Sequence, residues 1–123
     1  LNITNFYHAG GGSFWGCFIN DELVGTIALI KFESNTGDIR KMFVKKEFRG
    51  KEFSIAQKLL ETLIEYCQQN KIDDLYLGTV SILEAALRFY EKNDFVRIEK
   101  GELPKTFPLM APDNVFCHLN LKK

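Results

Sequence analysis

The segment that decides the fold is residues 38–60, which read DIRKMFVKKEFRGKEFSIAQKLL. Residues 38–44 have the apolar and β-branched character of a strand, and a basic segment follows at residues 45–51. From residue 54 to residue 70, apolar side chains recur at the spacing of a helix that packs one face on a sheet. They are Ala56, Leu59, Leu60, Leu63, Ile64 and Cys67. The segment therefore predicts a strand, a basic turn and an amphipathic helix in succession.

The flanking segments predict strands for most of the remaining chain. Before the deciding segment, strands are predicted at residues 13–19 and 23–32, with a turn at Asn20-Asp21 between them and another turn at residues 33–37. After it, strands are predicted at residues 74–80, 95–99 and 115–121. The resulting order, β-β-β-α-β-α-β-β, predicts an α+β fold with a mixed, mostly antiparallel sheet and a helix crossover.

Two local patterns complete the predicted layout. Ser81 is predicted to cap a second helix, with Glu84 completing a capping box, and this helix is expected to run to about Asn93. Residues 1–13 are predicted to be irregular, because three successive glycines at residues 10–12 favour a flexible connector.

Composition limits the possible partners. The chain has 123 residues, of which 46% are hydrophobic, so a single globular domain over residues 1–123 is expected. Sixteen Lys and Arg residues balance sixteen Asp and Glu residues, which argues against nucleic acid or a membrane surface as a partner held by bulk charge. No apolar run is long enough for a membrane span.

The cysteines and histidines show no pattern typical of a disulfide framework, a metal site or catalysis. Cys17, Cys67 and Cys117 are odd in number, widely spaced and without a CxxC pair, so neither a disulfide framework nor a zinc site is predicted. We expect them to fill the core of a cytoplasmic protein, with no metal bound. His8 and His118 have no partner at ligand spacing and are interpreted as non-functional.

The basic segment before the long helix is a candidate anion site. Unpaired amides at the start of a helix, here expected at residues 53–56, suit a phosphate or pyrophosphate group. Basic side chains at Lys45, Lys46, Arg49 and Lys51 would add positive charge. The alternative is a solvated basic turn without a ligand, and spacing alone leaves both interpretations open.

Two motifs in this layout resemble those of the GNAT superfamily of acyl-CoA-dependent N-acetyltransferases. Residues 51–56, KEFSIA, are similar to the Q/R-x-x-G-x-G/A pyrophosphate signature, which follows a strand ending here in Met42-Phe43-Val44. Residues 83–95, LEAALRFYEKNDF, resemble the pattern N-x-x-A-x-x-x-Y-E-K-x-G-F. The chain departs from these patterns at four positions, namely Lys51, Ser54, Leu83 and Asp94.

The resemblance implies an N-acetyltransferase that moves an acetyl group from acetyl-CoA to a primary amine by direct attack in a ternary complex. It implies Tyr90 as the general acid for the leaving thiolate and places Asp38 where some members carry a catalytic carboxylate. For Asp38 a solvated strand-end carboxylate is the alternative. The acetyl-CoA contacts implied by the resemblance are Met42, Phe43, Val44, Arg49, Gly50, Lys51, Glu52, Phe53, Ser54, Ile55, Ala56 and Gln57. An alternative function is a degenerate acyl-CoA-binding or sensing module without turnover, suggested by Ser54 and Leu83.

The resemblance also leads to expectations about both ends of the layout. Compared with the family, the chain is expected to lack the usual N-terminal strand and helices. Residues 13–19 are then expected to form an exposed sheet edge, which could pair with a second copy in a homodimer. The loop at residues 101–113, with Phe107 and Met110, is expected to line the acceptor side.

Overall fold

The computed structural model describes residues 2–7 and 12–122, and these form one seven-stranded sheet with two α-helices. The strands are β1 (Asn2–Tyr7), β2 (Ser13–Ile19), β3 (Glu22–Glu33), β4 (Thr36–Val44), β5 (Asp74–Thr79), β6 (Val96–Ile98) and β7 (Val115–Asn120). The helices are α1 (Glu52–Gln69) and α2 (Glu84–Lys92). Short 3₁₀ segments occupy Lys46–Lys51 and Lys100–Glu102.

The sheet has the order β1-β2-β3-β4-β5-β7-β6. The β4–β5 pairing is parallel, and the other described pairings are antiparallel. Helix α1 makes the crossover between the two parallel strands, as this connection requires. The predicted α+β fold with a mixed, mostly antiparallel sheet is therefore confirmed, and the basic turn proves to be a 3₁₀ helix that leads directly into α1.

Both helices cover the same face of the sheet. Leu59, Leu60 and Leu63 of α1 are fully buried and share one core with Leu87 and Tyr90 of α2. A hydrogen bond of 2.8 Å from the Gln57 side chain to the Asn93 side chain joins α1 to the end of α2. The helical periodicity that predicted α1 is thus explained by burial of one apolar stripe against the sheet.

The opposite face of β5 and β7 is covered by the loop that precedes β7. Phe107 of this loop meets Phe32 at a ring-centroid distance of 5.6 Å, Tyr76 at 6.5 Å and Phe116 at 6.3 Å. These aromatic contacts hold the loop on the sheet and separate this face from the helix face.

The prediction that residues 13–19 form an exposed sheet edge is wrong. Strand β1 pairs with the whole of β2, from Asn2 opposite Phe18 to Tyr7 opposite Ser13. Residues 1–13 were predicted to be irregular because of the glycine tract at residues 10–12. Strand β1 forms instead because its pairing satisfies the backbone groups of β2 that would otherwise be free. The edge argued to pair with a second copy is therefore occupied, and His8, Gly10 and Gly11 lie outside the described residues.

The predicted cap of the second helix is also wrong. Helix α2 begins at Glu84 after Leu83, which makes no side-chain capping bond. The backbone N–H of Ser81 donates to the Asn114 side chain at 2.8 Å, and the Asn114 amide donates to the Ser81 hydroxyl at 3.2 Å. A tertiary partner thus replaces the local capping pattern.

The cysteines fill the core, as predicted. Cys17, Cys67 and Cys117 are free thiols without exposed surface. Burial raises the pKa of the Cys67 thiol to about 12, so it stays protonated at neutral pH. Within the described residues, no helix is both long and apolar enough to cross a membrane.

We expect Leu63→Ala to lower the free energy of unfolding by about 2–5 kcal/mol, because it opens a cavity under the center of α1. The matched control is Glu65→Ala, an exposed position of the same helix, for which we expect a change within about 0.5 kcal/mol. Urea denaturation measures both. Equal effects of the two substitutions would contradict the packing described for α1.

Candidate active site

A gap opens in the sheet between β4 and β5. Their pairing covers Thr36 with Asp74, Gly37 with Leu75 and Asp38 with Tyr76. Strand β4 then continues to Val44 and β5 to Thr79, and the described residues show no further pairing between them. We call the space between residues 40–44 and residues 77–79 the β4–β5 gap. Backbone N–H and C=O groups along it lack a strand partner and can bind a ligand instead.

A β-bulge in β4 lies beside this gap. Ala28 pairs with Arg40 and Thr26 with Phe43, so Lys41 and Met42 together lie opposite the single residue between them on β3. Lys41 has a φ of 54°, in the left-handed region, and its carbonyl accepts a 2.6 Å hydrogen bond from the Thr26 hydroxyl. A bulge bends its strand and increases the local twist, which gives a physical reason for β4 to diverge from β5.

Three residues of the predicted cofactor set follow the bulge on β4. Met42 is half-buried against the core, the Phe43 side chain is 50% exposed, and Val44 is buried. Arg49, in the 3₁₀ segment, is exposed, and its Nε lies 3.4 Å from the Val44 carbonyl oxygen. Strand β4 and the basic 3₁₀ segment therefore lie next to each other at one end of the β4–β5 gap.

The rest of that set lies where the 3₁₀ segment becomes α1. Gly50 and Lys51 end the 3₁₀ segment, and α1 starts with Glu52, Phe53 and Ser54, whose side chain is exposed. In contrast, Ile55 and Ala56 are buried, and the Gln57 amide donates to Glu61 and Asn93. The side chains of these last three residues are therefore not free for a ligand.

The nearby cations differ in what they bind. The Lys45 ammonium forms a 2.6 Å ion pair with Glu22, whereas Arg49 donates to a main-chain carbonyl. Within the described residues Arg49 has no carboxylate partner, so it is the better candidate for an anionic ligand.

Asp38 lies at the closed end of the gap, where the β4–β5 pairing stops. Its side chain is 1% exposed, so the interpretation as a solvated strand-end carboxylate is wrong. Oδ2 accepts a 2.5 Å hydrogen bond from Arg40 Nε, whereas the enclosed Oδ1 has no hydrogen-bond partner in the described part of the chain. Burial raises the pKa of Asp38 to about 7, against the lowering effect of Arg40 and with a further rise from the charge of Asp113.

Tyr90 approaches the same region from the helix face. Its side chain is 5% exposed, and its ring packs edge-on against Phe95 at 5.4 Å. Burial raises the pKa of Tyr90 above its usual value, and the neighbouring Cys117 and Asp38 raise it further. The phenol therefore holds its proton at neutral pH, and the two predicted catalytic residues lie within electrostatic range of each other.

The loop before β7 approaches from the other face and is attached to β4. Arg40 Nη2 donates to the Pro108 carbonyl, and the Thr106 hydroxyl donates to Glu33. Phe107 is buried beneath the loop, so the expectation that it lines the acceptor side is wrong, whereas Met110 is half exposed. The aromatic ring anchors the loop rather than facing a substrate.

Three side chains near the site were missed from the sequence. The spacing of Arg40, two residues after Asp38 on a strand, was a usable signal because it puts both on one face. Asp113 and Asp74 are distant from Asp38 in the sequence, so no sequence pattern pointed to them. Asp74 Oδ1 lies 2.8 Å from His118 Nε2, a tertiary contact that the spacing in the sequence did not indicate.

Two open depressions lie on the surface. One, of about 290 Å³, is lined by Ile3 and the outer side of α1, and the other, of about 470 Å³, lies beside β6. Neither contains Asp38 or Tyr90. We locate the candidate site from the free strand edges and the buried polar groups, because these have a chemical reason to bind a ligand.

The fold agrees with comparisons to known proteins. The sequence profile described as "Acetyltransferase (GNAT) family" matches residues 2–95. The chain belongs to this family.

Among curated proteins, N-acetylaspartate synthetase of Danio rerio is 34% identical over 103 residues, which cover 82% of this chain and 36% of that protein. An uncharacterized N-acetyltransferase of Archaeoglobus fulgidus is 34% identical over 91 residues, covering 68% and 59% of the two chains. The chain thus spans about a third of the length of the N-acetylaspartate synthetases it matches.

Among solved structures, a GNAT-family acetyltransferase of Staphylococcus aureus Mu50 superimposes with a TM-score of 0.87 at 41% identity, over 92% of this chain and 70% of that one. A GNAT-family acetyltransferase of Elizabethkingia anophelis, with acetyl-CoA bound, has a TM-score of 0.74 at 18% identity over 98% and 99% of the two chains. The second likeness shows the shared fold.

We expect Asp38→Asn to remove a pH dependence from stability. The pKa of Asp38 is about 7 in the folded protein and near 3.8 ordinarily. The stabilisation that results from protonating Asp38 in the folded protein is therefore fully present below about pH 4 and is lost as the pH rises through about 7. The free energy of unfolding of the native chain should therefore fall relative to Asp38→Asn by up to about 4 kcal/mol between pH 4 and 8.

Urea denaturation at several pH values measures this difference. Asp21→Asn, at an exposed turn, is the matched control and should differ from the native chain by a constant amount. A constant difference for Asp38→Asn as well would contradict the raised pKa of the buried carboxyl.

Proposed function

We propose that this chain is an acetyl-CoA-dependent N-acetyltransferase that acts on a primary amine by direct attack in a ternary complex. The observation that carries the proposal is the β4–β5 gap, which has a buried carboxyl at its closed end and a buried, protonated phenol within electrostatic range of that carboxyl. Membership of the GNAT acetyltransferase family supports it, as do structural neighbours with acetyl-CoA or CoA bound.

The residues beside the gap fit an extended acyl-CoA arm. The unpaired edge of β4 offers backbone N–H and C=O groups at Met42, Phe43 and Val44, in the manner of a strand that adds to a sheet. This edge would orient the thioester along the sheet toward Asp38. Acetyl-CoA, when bound, supplies the acetyl group as an activated thioester.

The start of α1 fits the pyrophosphate. Its first amides have positive partial charge and follow directly on the basic 3₁₀ segment. Arg49, Gly50 and Lys51 would contribute charge and close backbone approach, and the exposed Ser54 hydroxyl can donate to a phosphate oxygen. Glu52, Phe53, Ile55, Ala56 and Gln57 would contribute through their amides.

Asp38 and Tyr90 divide the proton transfers between them. Oδ1 of the ionised Asp38 accepts a proton from the acceptor ammonium, which leaves a neutral amine able to form the new N–C bond. As the C–S bond breaks, the Tyr90 hydroxyl donates its proton to the leaving sulfur, and the extra proton that the attacking nitrogen still carries after the N–C bond forms returns to the Tyr90 phenolate. Its raised pKa keeps that proton in place until the sulfur carries negative charge.

L-Aspartate is the first acceptor to test, because the curated relatives from five vertebrates are N-acetylaspartate synthetases. Binding of acyl-CoA without turnover is the second candidate function. It is favoured by Ser54, which puts a side chain where the family signature has glycine, and by Leu83, which gives α2 no side-chain cap.

We expect Tyr90→Phe to lower kcat about 100-fold and to leave the Kd for acetyl-CoA nearly unchanged, because only the proton donor is removed. Thiol release across a panel of amines that includes L-aspartate measures turnover, and calorimetry measures binding. Tyr66→Phe, on α1 beside Trp15, is the matched control and should retain full activity. Binding without release of thiol for every amine would favour the second candidate function, and absence of binding would overturn both.

We expect Arg49→Ala to weaken acetyl-CoA binding about 2- to 5-fold at low ionic strength, because an exposed charge near a phosphate contributes modestly. Added salt should reduce the difference through screening. Lys122→Ala, an exposed lysine beyond β7, is the control and should not change the Kd. An affinity of Arg49→Ala equal to that of the native chain at every salt concentration would remove Arg49 from the site.

A further inference from the structure

Arg40 joins the candidate base to the loop on the opposite side of the sheet from the helices. We propose that Arg40 is a positioning residue, which holds Oδ2 of Asp38 so that Oδ1 alone faces the acceptor. This inference rests on the proposed function, because it assigns a second role within the same site.

The geometry around Arg40 supports a fixed orientation. Its Nε donates to Asp38 Oδ2 at 2.5 Å, and its Nη2 donates to the main-chain carbonyl of Pro108. The guanidinium is planar and its N–H groups have fixed directions, so two contacts in different directions determine where the group lies. Arg40 is largely buried, with 19% of its side chain exposed, which limits competition from water.

The attachment of the loop explains why this orientation persists. Phe107, next to Pro108, is buried in the aromatic cluster on β5 and β7, and Thr106 bonds Glu33 at the end of β3. The two residues that precede Pro108 are therefore both attached to the sheet. Arg40 thus links the position of a loop 68 residues further along the chain to the carboxylate of β4.

The consequence for Asp38 is an asymmetric carboxylate. Oδ2 is occupied by a charge-assisted hydrogen bond, and Oδ1 is enclosed without a partner in the described residues. A buried acceptor without a partner is costly, and such atoms are retained where a ligand completes them. The amine of the acceptor, or a water that bridges to it, is the partner that this arrangement fits.

Three charged or titratable groups face Asp38 from the elements around it. Arg40 on β4 favours the ionised carboxylate, Asp113 in the loop before β7 disfavours it, and Tyr90 on α2 stays neutral. Asp113 Oδ2 lies against Gly78 of β5, where an added Cβ would meet it at 2.5 Å. The two charges act with opposite sign, so neutralising each should move the titration of Asp38 in opposite directions.

The test is the pH dependence of kcat/KM for acetyl transfer by the full chain. Arg40→Met should shift the ascending limb to higher pH by about one unit, because a favourable charge is lost, and Arg40→Lys should restore part of the shift. Asp113→Asn should shift the limb to lower pH. Arg97→Met is the matched control, since Arg97 is exposed and pairs with Glu91 on the surface. The ascending limb of its pH profile should match that of the native chain.

A direct titration of Asp38 by carboxyl-carbon NMR gives the same quantity without turnover and should move in the same directions. If the titration of Asp38 is the same in Arg40→Met and in Asp113→Asn as in the native chain, the inference is overturned. If Arg40→Met does not fold, Arg40→Lys and Asp113→Asn still decide it. Failure of the proposed function is recognised separately, because the native chain would then release no thiol with any amine, whereas the NMR titration of Asp38 could still be measured.

Discussion

The structure depends on where the pairing between β4 and β5 stops. Two strands that remained paired to their ends would satisfy their own backbone and leave no opening in the sheet. Here the pairing ends at Asp38, and the bulge at Lys41 and Met42 turns β4 away. Three features follow from that one interruption: a free strand edge for a ligand, a passage between the two faces, and a buried carboxyl at its closed end.

The two faces contribute different chemistry because different parts of the chain cover them. Helices α1 and α2 provide an apolar cover in which the Tyr90 phenol is buried and keeps its proton. The loop before β7 provides polar main-chain and carboxylate groups around Arg40. The proposed proton donor and proton acceptor are thereby covered by different parts of the chain and still lie within electrostatic range of each other.

Sequence patterns predicted the fold well because periodicity reports burial directly. The stripe from Ala56 to Cys67 predicted α1, and alternating apolar residues predicted β2 with its observed bounds. Strand β1 was missed, since six residues before a glycine tract carry too little periodicity. For the site, Asp38 and Tyr90 were identified by resemblance, but the burial of Asp38 was not, because its cover comes from residues 106–113. Local sequence cannot reveal a contact made by a distant loop.

The connection between β4 and β5 has a consequence for folding. The parallel pair can form only after the residues from 39 to 73, including α1, have closed a long loop, whereas the hairpins from β1 to β4 need only short ones. The Arg40 contact to Pro108 spans a longer separation still. The meander can therefore form early, and the gap with its carboxylate is completed among the last tertiary contacts. Nascent chains would thus acquire their stable strands before they acquire a binding site.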